Sequence, residues 1–229
     1  MSKAQQLINE YLREGRLAAN RSQPIGAGAY GTVYESDVPG RVIKQAQYAD
    51  VNNDMEREAN AQSIAADMGY APRVTELETF RGGIGNRMEM EDVRGNYEPV
   101  AESHVGMPTD PAIVMKTMQQ LGAMALKGML LQDRRAANIV QHKMMGRPMQ
   151  LDFGITRNVE GADKAQALAE VTAEGLEAAG VKDVGSILTA TVADYLEGGQ
   201  VDEAMDIARQ GFSRLQKIRT HLKEPVSFL

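Results

Sequence analysis

The stretch LLQDRRAANIVQHKMMGRPMQLDFG, residues 130–154, decides how this chain is organised. Residues 139–143 and 148–151 have the apolar, β-branched character of two short strands, and Met-Met-Gly-Arg between them fits a turn. The strands of a hairpin bring their outer ends together. The sequence therefore predicts that Asn138 and Asp152 lie side by side at one end of a hairpin.

A third oxygen-bearing side chain, Asp133, lies on the loop just before this hairpin. Carboxylate and amide oxygens are the ligands that hard cations such as Mg²⁺ prefer. A carboxylate beside a hydroxyl group can also orient or accept its proton. The three side chains therefore predict a site that holds a hard cation and acts on a hydroxyl.

Composition excludes several other classes of protein. The chain has 229 residues, enough for one large domain or two lobes, and its hydrophobic content of 43% supports a core. A net charge of −6 with scattered Lys and Arg argues against nucleic acid as a partner. The absence of Cys excludes disulfides and fits a cytoplasmic location. No apolar run reaches the roughly 20 residues of a membrane helix, and the first residues lack the apolar core of a secretory signal.

A glycine-rich segment, IGAGAYGTV at 25–33, precedes the first clear strand. A β-branched strand follows the glycines, whereas a dinucleotide-binding fold requires a helix there. The backbone of such a hairpin can approach phosphate groups closely. Lys44 follows in the apolar strand Val-Ile-Lys and becomes a candidate clamp for the α- and β-phosphates of a nucleotide.

Lys44 requires an anionic partner when no ligand is bound, and the helix predicted at 51–68 offers Glu56 and Glu58. We favour Glu58, because Met55 and Ala59 share its side of the helix. Glu56 then faces solvent. The alternative, in which both are surface acids, stays open at this point.

The pattern of elements predicts an α+β, two-lobed protein. Residues 1–93 combine an amphipathic N-terminal helix, five strands and the helix with Glu58, and form the first lobe. Glycine and proline residues in 94–110 suggest a linker. Residues 94–229 form a mostly helical second lobe, with helices predicted from the Asp110-Pro111 cap and at 163–179, 183–197 and 201–222.

The motifs together resemble those of the protein-kinase superfamily. A glycine-rich hairpin, Val-Ile-Lys, a helical Glu, Asp-x-x-x-x-Asn and Asp-Phe-Gly occur here in the order found in that family. The resemblance covers residues 25–154, and MEMEDVRGN at 88–96 is similar to a kinase hinge. It implies a protein-kinase-like fold with a small β-rich N-lobe and a reduced helical C-lobe.

The resemblance also implies ATP and Mg²⁺ as cofactors and a role for each matching residue. Lys44 would bind phosphates and pair with Glu58. Asp133 would act as the catalytic base, and Arg135 would contact the transferred phosphate. The metal ligands would be Asn138 and Asp152. The remaining nucleotide-binding residues would be Ile25, Gly26, Gly28, Gly31, Val33, Met90, Glu91 and Val93.

Two departures from the family pattern concern regulation and substrate. Leu131-Gln132 replaces the usual His-Arg before Asp133, and Gln132 cannot bind a phosphorylated loop. No Ala-Pro-Glu follows Asp-Phe-Gly, and the intervening segment is short. This truncation resembles the minimal kinases of bacterial effectors and phages. It implies activity without loop phosphorylation and suggests delivery into a host cell.

Three functions fit these motifs. We favour transfer of phosphate to a Ser or Thr hydroxyl of a protein. Small-molecule kinases of the aminoglycoside and choline type share the Asp-x-x-x-x-Asn logic, but usually carry His-Gly before the Asp and lack Phe-Gly after the metal Asp. An inactive binding module is disfavoured because Lys44, Asp133, Asn138 and Asp152 are all intact. The identity of the acceptor and the oligomeric state are left open.

Overall fold

The computed structural model describes residues 24–27, 31–46, 55–79, 86–100, 106–181 and 183–219. The predicted N-terminal helix and Gly28 of the glycine-rich hairpin lie outside these ranges. None of the helices within them combines the length and the hydropathy of a bilayer-spanning segment.

The first lobe contains a five-stranded antiparallel sheet and one helix, as the sequence predicted. The elements are β1 (Gly26–Ala27), β2 (Gly31–Glu35), β3 (Arg41–Ala46), α1 (Met55–Asp67), β4 (Val74–Glu78) and β5 (Arg87–Glu91). The strand order is β1-β2-β3-β5-β4, and helix α1 follows β3 in the chain.

A small apolar core lies between this sheet and α1. Its buried members come from β3, α1 and β5, and they are Val42, Ala46, Met55, Ala59, Met88 and Met90. The turn between β2 and β3 ends at Gly40, whose φ of 79° is the left-handed conformation that glycine adopts without strain. This turn sets the register in which Val33 lies opposite Lys44.

The second lobe is built on four helices, α2 (Pro111–Leu126), α3 (Gly161–Ala178), α4 (Val184–Glu197) and α5 (Val201–Lys217). The predicted cap is confirmed: the Asp110 side chain accepts a hydrogen bond from Ala112 N at 2.8 Å, and proline occupies the first turn. Helix α5 ends at Lys217, so its predicted extension to residue 222 is wrong. Helix α3 begins two residues earlier than predicted, at Gly161.

Glycines allow the helices of this lobe to approach closely. A Cβ atom on Gly122 would lie 2.2 Å from the ring of Phe212, which is fully buried. A Cβ atom on Gly175 would lie 2.6 Å from Leu215, and one on Gly211 would lie 2.7 Å from Leu188. Each helix crossing therefore depends on a missing side chain, because interiors of this density leave no room for added atoms.

The predicted hairpin is present as β8 (Ile139–His142) and β9 (Pro148–Gln150). Strand β6 (Tyr97–Pro99) extends it into a three-stranded sheet, so the prediction of 94–110 as a plain linker is partly wrong. Strands β7 (Met129–Leu131) and β10 (Thr156–Asn158) form a second pair that the sequence analysis did not predict. A single 3₁₀ turn, Ala136–Asn138, leads into β8.

Candidate active site

The hairpin brings Asn138 and Asp152 together as predicted. Ile139 pairs with Gln150, and Leu151 N donates a hydrogen bond to Asn138 O at 2.9 Å, which closes the open end of the hairpin. Both side chains line one cavity of about 370 Å³ between the two lobes. The hairpin thus carries an amide and a carboxylate to the same wall.

Lys44 connects the two lobes at this cavity. It is only 7% exposed, and its Nζ lies 2.5 Å from Glu58 Oε1 on α1 and 3.0 Å from Asp152 Oδ1 after the hairpin. Glu56 is exposed on the same helix. The partner of Lys44 is therefore Glu58, and the alternative of two surface acids is wrong.

The charges of this triad do not balance. Burial of Lys44 favours its neutral form, but the charges of Glu58 and Asp152 outweigh this effect and raise its pKa. Burial raises the pKa of the Glu58 carboxyl, although Lys44 opposes that rise. Two carboxylates therefore share one ammonium group, which favours a further cation beside Asp152.

The rest of the cavity is largely apolar and receives residues from both lobes. Val33 and Val42 come from the first sheet, and Val140 and Leu151 come from the hairpin. Met90 lies at the end of β5 with 6% of its surface exposed. Aliphatic side chains from two opposed sheets suit a flat aromatic ring, since such a ring buries both of its faces between them.

Most of the sequence-predicted nucleotide residues that the structure describes line this cavity directly. They are Ile25, Gly26, Gly31, Val33, Lys44, Met90, Glu91 and Val93. Glu58 contacts the cavity only through Lys44. Their roles in binding a nucleotide stay predictions.

The polar residues at the hinge end of the cavity were not predicted from the sequence. Arg94 Nη2 donates to Asp92 Oδ2 at 2.7 Å and reaches Glu35 Oε1 on β2 at 3.4 Å. Lys143 Nζ donates to the backbone oxygens of Arg94 and Gly95 at 3.0 and 2.8 Å. The only sequence signal for them was the charge-rich run after the predicted hinge, which resembles an ordinary solvated loop.

Asp133 and Arg135 lie outside the cavity lining, on the loop that leads to Asn138. Arg135 donates two hydrogen bonds to the Asp133 carboxylate, one of them from Nε at 2.7 Å, and these lower the pKa of Asp133. Asn138 Nδ2 lies 3.4 Å from Asp133 O. The resemblance implied a phosphate contact for Arg135, and this bidentate pair was not predicted.

Asn138 and Asp152 are chemically suited to a magnesium ion. The Asn138 amide nitrogen is directed at Asp133 O, which leaves the amide oxygen as the end for a cation. Asp152 Oδ1 accepts hydrogen bonds from Lys44 and from Gly154 N, and a Cβ on Gly154 would lie 3.2 Å from that oxygen. The described residues contain no cluster of three acidic, His or Cys ligands, so an ion here would need oxygens from substrate or water.

Comparison with known proteins adds only an overall likeness. No family model and no curated protein matches the sequence. The kinase domain of Mycobacterium tuberculosis PknI is structurally similar, with a TM-score of 0.48, 15% identity, and 84% of this chain and 94% of that one covered. A cysteine-to-alanine mutant of the same domain matches with a TM-score of 0.44 and 20% identity over 68% of this chain and 73% of that one. The assignment of a reduced, two-lobed kinase-like fold rests on this chain's own elements.

Proposed function

We propose that this protein is an ATP- and Mg²⁺-dependent protein kinase that transfers the γ-phosphate of ATP to a Ser or Thr hydroxyl. One observation carries the proposal: Lys44 Nζ lies 2.5 Å from Glu58 and 3.0 Å from Asp152 at a cavity that Asn138 also lines. Phosphoryl transfer depends on positioning and charge neutralisation more than on covalent chemistry. An ammonium group, a carboxylate and an amide at one apolar slot meet those requirements.

The residues of this chain would divide the work by position. The aliphatic residues from β2, β3 and the hairpin would hold the adenine ring, and Lys44 would bind the phosphates while Glu58 keeps it in place. Asn138 and Asp152 would hold magnesium, which when bound neutralises the phosphate oxygens. The glycine-rich strands β1 and β2 line the same cavity and would cover the phosphates.

Asp133 would orient the acceptor hydroxyl. Its carboxylate has a lowered pKa because Arg135 donates two hydrogen bonds to it, so it stays ionised at neutral pH. Such a weak base is better suited to fixing the direction of a hydroxyl than to removing its proton early. Transfer through a loose transition state requires no early deprotonation, since charge develops mainly on the transferred phosphoryl group.

A protein acceptor is favoured over a small molecule by the motifs around the site. Leu131 precedes Gln132 and Asp133 where small-molecule kinases usually carry His-Gly, and Phe153 follows Asp152. Leu131 and Phe153 are fully buried in the same apolar cluster, most of whose members come from the helical lobe. Phe153 therefore anchors the segment after Asp152 in the core. Delivery into another cell stays a prediction.

The test is transfer of labelled γ-phosphate from ATP with magnesium, using a cell lysate and a panel of amino alcohols as parallel acceptors. Label should appear on protein Ser or Thr, and Asp152→Ala should remove it. Equal transfer after Asp152→Ala would refute the proposed site. Label on amino alcohols alone would assign the small-molecule activity, and ATP binding without transfer to any acceptor would assign the inactive module.

A further inference from the structure

The inner end of the cavity is supported from behind by a buried glutamine. Gln62 lies on α1, one turn after Glu58, and is fully buried. Its Nε2 donates a hydrogen bond to Pro72 O at 2.9 Å and lies 3.3 Å from Met90 Sδ. Pro72 and Met90 both line the cavity. One side chain thus contacts two wall residues from the side away from the nucleotide site.

The orientation of this amide follows from its partners. A carbonyl oxygen can only accept a hydrogen bond, so the end of Gln62 that faces Pro72 O must be the NH₂ group. The second N–H of that group is then available to the thioether of Met90. The Oε1 atom of Gln62 is buried and has no hydrogen-bond partner among the described residues.

A stranded acceptor is unfavourable, because the oxygen has lost its water without gaining a donor. Leucine at this position would fill a similar volume of the core without such an oxygen. Glutamine is therefore less favourable than leucine for the stability of the fold at this position. Its two contacts with the cavity wall supply a functional reason for its presence.

We infer that Gln62 is a positioning residue that sets the depth of the nucleotide cavity by holding Met90 and Pro72 in place. The inference rests on the proposed function, since it assumes that the cavity binds a nucleotide. A methionine side chain is flexible and can move aside for a bulky group. Held by Gln62, Met90 excludes bases that carry a large substituent, and the unmodified adenine ring is selected.

The experiment compares dissociation constants for ATP and for N6-benzyl-ATP, measured by competition with a fluorescent nucleotide on the full chain. Gln62→Leu removes the amide, and Gln62→Met provides a second variant of similar length. Gln120→Leu is the matched control: Gln120 is also buried, donates to a proline carbonyl, Pro148 O at 2.7 Å, and does not line the cavity.

We expect both Gln62 variants to reduce the preference for ATP over N6-benzyl-ATP by about tenfold. This is the lower end of the discrimination that an apolar pocket achieves between ligands that differ by one methylene group. Gln120→Leu should lose similar stability and keep the wild-type preference. If a folded Gln62 variant keeps that preference, or if Gln120→Leu loses it equally, the inference is wrong. If the wild type does not bind ATP, either with or without magnesium, the proposed function itself fails.

Discussion

The two lobes differ in the kinds of residue that they bury. Among the described residues, every buried charged side chain lies in the first lobe: Lys44, Glu58 and Glu89. The buried polar residues of the helical lobe are uncharged, and its helices approach so closely at Gly122 that an added Cβ atom would overlap Phe212. Burying a charge is costly unless it is paired, whereas close packing of helices is favourable without any polar group.

This difference indicates where substitutions affect activity and where they affect stability. In the first lobe, the paired charges of Lys44 and Glu58 lie at the cavity although such pairs contribute little to the free energy of folding. In the helical lobe, each close crossing contributes to the platform that holds the hairpin. Substitutions that separate the two effects test the comparison.

The largest effect is expected at Lys44. Lys44→Met should lower kcat/KM for phosphate transfer by roughly 10²–10³-fold, because it removes a cation placed at the phosphates. It also leaves Glu58 buried without its partner. A buried acid with a raised pKa favours the folded state only below that pKa, so the variant should lose further stability as pH rises.

The measurements for Lys44→Met are steady-state kinetics and thermal unfolding across pH. The matched control is Glu56→Gln, an exposed residue on the same helix as Glu58, which should keep the wild-type kcat/KM. Retention of wild-type kcat/KM by a folded Lys44→Met protein would contradict the role assigned to this residue.

The next largest effect concerns packing in the helical lobe. Gly122→Ala should lower the free energy of unfolding by about 3 kcal/mol, because the new methyl group overlaps the ring of Phe212. Denaturant unfolding provides the measurement. Adding Phe212→Leu should restore part of the loss, since the smaller side chain gives way. If the losses of the two substitutions simply add in the double variant, the contact between residues 122 and 212 does not limit how closely the helices approach.

A smaller effect is expected at the buried charge that lies away from the cavity. Glu89 accepts hydrogen bonds from Ser36 at 2.6 Å, Arg41 at 2.6 Å and Thr75 at 2.9 Å. Burial alone would raise the pKa of Glu89, but these donors together lower it below its ordinary value of 4.5. Glu89→Gln should cost about 1.5 kcal/mol near neutral pH, the lower range for a hydrogen bond to a charged group.

The pH dependence of Glu89→Gln has a definite sign. A carboxyl with a lowered folded-state pKa stabilises the protein above its ordinary value, and that stability is lost as pH falls through the folded pKa. The difference between Glu89→Gln and wild type should therefore shrink on acidification. Glu76→Gln, an exposed acid on β4, is the control and should cost less stability near neutral pH. A large loss of kcat in Glu89→Gln would break the distinction between charges at the cavity and away from it.

The smallest effect is a displacement of the pH profile at Asp133. Arg135 lowers the pKa of Asp133 through two hydrogen bonds, so Arg135→Ala should move the acid limb of the kcat profile to higher pH. Arg134 lies on the same loop but pairs with Glu174 at 2.9 Å. Arg134→Ala should leave the limb in place, and equal shifts in both variants would show that general loop charge is responsible.

The sequence was sufficient for features that depend on local spacing. Hairpin ends meet whatever the rest of the chain does, so Asn138 and Asp152 were placed correctly. Helical spacing put Glu58 on the same side as Met55, which favoured it over Glu56. The five strands of the first sheet were also visible, because each is bounded by turn residues or a helix.

Features that depend on distant partners were not predictable. Strands β6, β7 and β10 contain three residues each, too few for alternation to be visible, and each exists only because another segment pairs with it. The Arg135–Asp133 pair and the contact of Gln62 with Met90 depend on side-chain directions that spacing does not specify. The role of Gly122 was not predictable either, because it depends on the packing of Phe212 from a helix far away in the sequence.

The short segment between Asp152 and α3 has a consequence for how the proposed activity would be controlled. Gly154 N donates a hydrogen bond to Asp152 Oδ1, Thr156 Oγ1 donates one to Phe153 O at 2.7 Å, and Val159 N donates one to Gly128 O at 2.8 Å. These hydrogen bonds hold the short segment in place. The hydroxyl of Thr156 is buried and already donates one of them. Under the proposed function, we therefore expect a transferase that needs no phosphorylation of this segment, so that its output would follow the amount of protein present.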